Sequence, residues 1–163
     1  EANDWNECIR IGNLLADQAL EIISKAPLQS NPELFCDSKM IAIPVDNLVM
    51  RQIVKSSPLN YQDFYNDSAH TRINLLHIGT AKILTIPGEA LPNIGYYVKR
   101  KMNTKYPFLF GLTNDAFGYI LTKVDYNSFK RYNYITRTSM SEMIGEIYIN
   151  EALKLLGKNS DSL

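Results

Sequence analysis

The sequence predicts an α/β fold, a mixed β-sheet flanked by helices, from three observations. Segments of helical period alternate with short strand-like runs along the chain. Two apolar runs, RINLLHIG and AKILTIP, meet at Gly79-Thr80, which favours an antiparallel hairpin. A strand-helix-strand unit then spans about Lys82 to Leu112, and a helical crossover of that kind favours parallel pairing. At 163 residues the chain is read as a single domain, 1–163, long enough for a substantial core.

Each element has its own signal. From about Trp5 to Ala26, apolar residues such as Ile9, Leu15, Leu20 and Ile23 recur at three- and four-residue steps; Asn3 or Asp4 can cap the helix start and Pro27 ends it. KMIAIPV, Lys39 to Val45, reads as a strand, with Pro44 marking an edge or a strand end. LVMRQIVK suits a short helix, and SSPLNYQDFYNDSAHT reads as a loop. A helix is expected from Glu89 or Ala90 to about Asn103, with Pro92 in its first turn and Lys99, Arg100 and Lys101 near its C-terminus. FLFGL and YILT are strand candidates around the polar loop TNDAFG. A closing amphipathic helix is expected from Ser139 or Ser141 to about Leu156, stopped by Gly157, with 158–163 as a disordered tail.

Composition narrows the function classes. Seventeen basic and seventeen acidic residues cancel, so no charge excess points to nucleic acid. No apolar run approaches the ~20 residues of a transmembrane helix. The opening EANDWNEC is no signal peptide, which leaves the compartment open between cytoplasmic and exported. Cys8 and Cys36 form no CxxC and carry no metal spacing, and His70 and His77 are the only histidines. A metal site built wholly within these residues would be poor in nitrogen and sulfur ligands. His77, within an apolar run, reads as a hydrogen-bonded core or edge histidine, and His70 as an exposed loop residue.

Two segments carry the chemistry. In TIPGEALPNIGYY, Glu89 stands directly behind a Pro-Gly corner. Its plain reading is an acidic residue in a first helical turn, stabilised by the dipole. The functional reading is a carboxylate at the carboxyl end of a strand, where α/β proteins bind ligands. GLTNDAFGY again leads from a strand end into a polar loop and delivers Tyr119 behind Gly118. If the two strands are neighbours, Glu89 and Tyr119 share one edge of the sheet. Asn114 and Asp115, close to Tyr119 in sequence, are candidates to support it.

IPGE, Gly95 six positions on, GL-x-N-x-x-x-G-Y, Thr122 and the tyrosine-rich DYNSFKRYNYITRTS, in that order, resemble the neutral ceramidase family from about Arg72 to the closing helix. The resemblance implies that Glu89 and Tyr119 are zinc ligands, with two histidines supplied by an earlier part of the catalytic domain; neither His70 nor His77 lies in a matching motif. It implies hydrolysis of an N-acyl sphingoid or related lipid acyl amide by zinc-bound water, Tyr119 also stabilising the developing oxyanion. Tyr132 then corresponds to a substrate-contacting tyrosine, with one inserted residue. Where the family carries threonines and an arginine pair after the glutamate, this chain has Ala90, Leu91, Pro92 and Tyr96-Tyr97, and Asn133 replaces a glutamate. So read, the chain is the C-terminal part of a larger ceramidase-like catalytic domain. It is inactive and binds zinc weakly without the N-terminal half, whether that is on the same chain or a separate subunit. The rival expectation is a non-catalytic α/β module that keeps the corner for folding or partner binding.

Overall fold

The computed structural model describes residues 4–58 and 61–160, with side chains through 157. The cap candidate Asn3, part of the 56–71 loop and the tail from 161 onward lie outside the described residues. Where the sequence was read as one domain, the chain divides into two compact units, Glu1–Asn31 and Pro32–Leu163.

The first unit holds α1 (Trp5–Lys25). Asp4 caps it, its carboxylate accepting from the Glu7 N–H at 2.9 Å. Ala26 turns extended ahead of Pro27, as the residue before a proline tends to, and this ends the helix. Its periodic apolar stripe, with Ile9, Leu15, Leu20 and Ile23, is exposed, and no residue of α1 is buried.

In the second unit, β1 (Leu34–Pro44) pairs antiparallel with β3 (Ser68–Ile78), and β3 pairs antiparallel with β4 (Ala81–Thr85) through the Gly79-Thr80 turn. α3 (Pro92–Lys101) then crosses to β6 (Tyr106–Phe110), which lies parallel to β4. The sheet is therefore mixed, ordered β1-β3-β4-β6, with β2 (Phe64–Tyr65) added on β3. Pro44, the last residue of edge strand β1, sits where its missing N–H costs least. The β2–β3 connection was read as loop. Asn66 and Asp67, at φ 52° and 53°, make it a tight two-residue hairpin of the type that Asn and Asp favour. His70 accordingly lies in β3, stacked on Tyr65 with centroids 3.7 Å apart.

One face of the sheet carries the core. Ile73, Leu75 and Leu84 meet Ile94 and Val98 of α3 and Ile144, Tyr148 and Leu155 of α5 (Ile144–Ser160). Each such fully buried side chain contributes roughly 1.5–3 kcal/mol relative to exposure. The Tyr148 hydroxyl donates to the Thr85 carbonyl oxygen at 3.1 Å, and Lys39 pairs with Glu151 to tie β1 to α5.

Two helix boundaries differ from expectation. α5 starts at Ile144, because Ser139, Met140 and Ser141 are held by Gly118, Asn47 and Asp46, and it runs through Gly157 to Ser160, so 158–160 are helical where a disordered tail was expected. Gly157 has no positive φ, and glycine stops a helix only where it turns left-handed. α3 starts at Pro92, whose fixed φ suits the first helical position. Glu89 therefore lies outside the helix, in β5 (Glu89–Ala90), and the first turn of α3 holds no acid. The dipole reading of Glu89 is corrected accordingly: sheet pairing, not the helix start, places this carboxylate.

Candidate functional site

β4 leads into Ile86-Pro87-Gly88, and the chain there is pinned by backbone hydrogen bonds to the loop after β6. The Ile86 N–H donates to Phe110 O at 2.8 Å, Leu112 N–H to Gly88 O at 3.1 Å, Thr113 N–H to Ile86 O at 3.2 Å and Phe117 N–H to Pro87 O at 2.9 Å. The two segments then run parallel as β5 and β7 (Tyr119–Ile120), with Glu89 and Tyr119 as Cα partners. The Glu89 N–H donates to Gly118 O at 2.9 Å, and the Leu91 N–H to Ile120 O at 3.0 Å. Paired residues in adjacent strands project to the same side, so the carboxylate and the phenol stand next to each other.

Glycine makes the approach possible. A Cβ on Gly88 would lie 2.5 Å from Gly118 O and 3.1 Å from Ile120 Cδ1. Gly118 adopts φ +75°, and a Cβ there would fall on the Thr138 carbonyl oxygen. Thr138 in turn accepts from the Tyr119 N–H at 3.3 Å, and Gly118 bridges Ser139. The 137–141 segment is held from behind by Asn47. Its side-chain amide donates to Arg137 O and Ser139 O, while its Oδ1 caps α2 (Leu48–Ser56) by accepting from the Val49 and Met50 N–H groups.

The electrostatics of the pair follow from this proximity. The Glu89 carboxylate pushes the Tyr119 phenol above the ordinary tyrosine range, with smaller contributions from desolvation and Tyr134. Glu89 is exposed and Tyr119 half-buried. Tyr119 packs edge-on against Tyr134, centroids 5.9 Å apart at 72°. Tyr134 lies in α4 (Asn133–Arg137), and sequence reading did not single it out. Its signal was present in the tyrosine-rich run, two residues beyond Tyr132. Tyr132 itself ends a 3₁₀ turn and packs on Phe129, with the Arg131 guanidinium 5.4 Å from its ring.

The remaining candidates take other roles. Asp115 accepts from the Thr71 hydroxyl, and Asn114, at φ 74°, donates to the Arg72 carbonyl oxygen at 2.6 Å; both fasten the loop to β3. His77 is buried, as expected, but its Nε2 has no hydrogen-bond partner, and burial pushes its pKa down. It pairs with Lys82 at the start of β4. Five residues, roughly 16 Å at strand rise, separate that level from Pro87 at the corner. Among the described residues no group of three or more His, Cys, Asp and Glu could hold a metal ion. What the corner offers is two oxygen donors side by side, a carboxylate and a phenol. No described helix is long and apolar enough to cross a membrane.

No family model matches this sequence, and no curated protein is significantly similar to it. Solved structures do match the fold. A ceramidase complexed with C2 superposes with a TM-score of 0.62 at 12% identity, over 90% of this chain and 33% of that one. The neutral ceramidase from Pseudomonas aeruginosa superposes with a TM-score of 0.54 at 13% identity, over 87% of this chain and 31% of that one. The chain spans about a third of the length of these neighbours. Its α/β architecture is a ceramidase-like fold.

Proposed function

We propose that this chain contributes the carboxylate and phenol half of the metal site of a zinc-dependent amide hydrolase acting on lipid acyl amides. The observation that carries the proposal is the β5–β7 register, which sets Glu89 opposite Tyr119 in a separate two-stranded parallel sheet. Zinc bound at such a site supplies Lewis acidity toward water and the amide carbonyl. The two oxygen donors here would be completed by imidazoles from polypeptide outside these residues, as the length of the ceramidase neighbours allows.

Glu89 would bring the negative charge that retains the cation. Tyr119 stays protonated in the absence of metal, because the adjacent carboxylate opposes a phenolate. Its Oη is then a donor aimed at charge developing on the amide oxygen. Tyr134 steadies the Tyr119 ring edge-on, which limits its rotation. The segment carrying Tyr132 and Tyr134 would form the adjoining wall against the substrate. Tyr132 remains the tyrosine proposed to touch it, and Tyr134 the one that orients Tyr119.

The test is metal analysis of the complete gene product, with an amidase screen over acyl amides of different chain length. Stoichiometric zinc and amidase activity, both lost in Glu89→Ala, are expected. The 163-residue chain alone is expected to be inactive and to hold zinc weakly. Unchanged zinc content and activity in Glu89→Ala would leave the corner as a structural device of a non-catalytic module.

A further inference from the structure

The end of the sheet opposite the Glu89 corner gathers cations that the fold does not use. Phe35, His77, Lys82 and Pro107 form one row across β1, β3, β4 and β6, at the level where β4 begins. The loop from α3 to β6 is fastened at this end. Asn103 turns left-handed at φ 43°, and the Thr104 hydroxyl donates to the Thr80 carbonyl oxygen. Row and loop together line a recess of about 340 Å³, with His77 and Lys82 from the row, Asn103 and Lys105 from the loop, and Glu33 as its one acid. A neighbouring recess of about 650 Å³ shares Asn103, Thr104 and Lys105 and adds Lys99 and Arg100.

Two independent observations ask for a ligand here. His77 is only 8% exposed, and its Nε2 has no hydrogen-bond partner. A buried polar atom left unpaired is costly and uncommon in folded proteins. Burial, and after it Lys82, hold the His77 pKa down against the opposing pull of Glu33, so the ring is neutral near neutrality and can donate from Nε2. The second observation is the charge. Among the described residues neither Lys82 nor Lys105 is in a salt bridge, although acids and bases balance over the chain. The helix dipole accounts for Lys99, Arg100 and Lys101 in the last turn of α3, but Lys82 and Lys105 lie outside that helix.

We propose that the recess is a binding site for a phosphate-class oxyanion, held by the Lys82 and Lys105 ammonium groups and by N–H donors from Asn103 and His77 Nε2. Lysine binds phosphate as a point charge, amide and imidazole N–H groups add direction, and the anion supplies the acceptor that Nε2 lacks. The site stands at the opposite end of β4 from Glu89 and Tyr119, so it does not rest on the metal assignment. The phosphate could belong to a dissolved molecule or to a lipid headgroup, and the chemistry of recognition is the same for both.

Equilibrium dialysis of the complete gene product against radiolabelled orthophosphate, at fixed ionic strength, is expected to show saturable binding. It should weaken about tenfold or more in Lys82→Gln and in Lys105→Gln. His77→Phe keeps a ring at the site but removes the donor, and should weaken binding about threefold or more. An imidazole with no ligand role predicts a different pattern, a raised Tm in His77→Phe with phosphate binding unchanged, and that result would overturn the assignment. Sedimentation with phosphatidylcholine vesicles, with and without phosphatidic acid, separates the two sources. Orthophosphate binding without vesicle binding identifies a dissolved phosphate. Phosphatidic-acid-dependent sedimentation that is lost in Lys82→Gln and Lys105→Gln identifies a headgroup. Binding in neither arm, or binding indifferent to both lysines, overturns the proposal.

Discussion

Gly88→Ala tests the corner most directly. The added methyl carbon would lie 2.5 Å from Gly118 O and 3.1 Å from two carbons of Ile120, which is fully buried. The first neighbour is backbone within the β5–β7 pair, so relief requires the two segments to separate. Separation strains or breaks the 2.9 Å hydrogen bond from the Glu89 N–H to Gly118 O. Overpacking of this kind costs typically 1–3 kcal/mol, and a lost hydrogen bond about 0.5–1.5 kcal/mol, for a total of roughly 2–4 kcal/mol. In a domain of this size that lowers Tm by about 4–16 °C. The assay is thermal unfolding followed by circular dichroism, with Gly157→Ala as the control. Gly157 lies inside α5 with nothing within 4 Å of its Cβ position, so alanine there should stabilise by about 0.5–1 kcal/mol. A Tm for Gly88→Ala within about 2 °C of wild type would correspond to less than about 1 kcal/mol, and would refute the claim that glycine is required for the approach.

Two further outcomes are expected. In spectrophotometric titration without metal, Glu89→Gln should bring one tyrosine down toward the ordinary range, because the carboxylate is the first cause of the raised Tyr119 pKa. The sign is fixed by charge: the carboxylate opposes phenolate formation, so its removal lets the proton leave at lower pH, and an upward or absent shift would break the pairing argument. Tyr148→Phe deletes the buried hydroxyl that donates to Thr85 O, at a cost of about 1–2 kcal/mol, read as a Tm lowered by roughly 2–8 °C.

Most of the element inventory and the mixed sheet were legible in the amino-acid order, since helix period, strand runs, the Gly79-Thr80 turn and the α3 crossover are local signals. It also singled out Glu89 and Tyr119, because strand ends behind Pro-Gly and Gly corners are legible in a single chain. It misjudged how Glu89 is held. Whether a residue three places before a proline joins the helix or pairs with a distant strand depends on the arrival of Gly118 and Ile120, and no local pattern records that. Tyr134, the hairpin at Asn66-Asp67 and the bracing of 137–141 by Asn47 were hidden for the same reason: each depends on a tertiary partner. Burial divided likewise. Alternation in β3 announces two faces, but which one α3 and α5 cover emerges from packing between distant segments, because a strand's period of two fixes the alternation and not the side on which the helices pack.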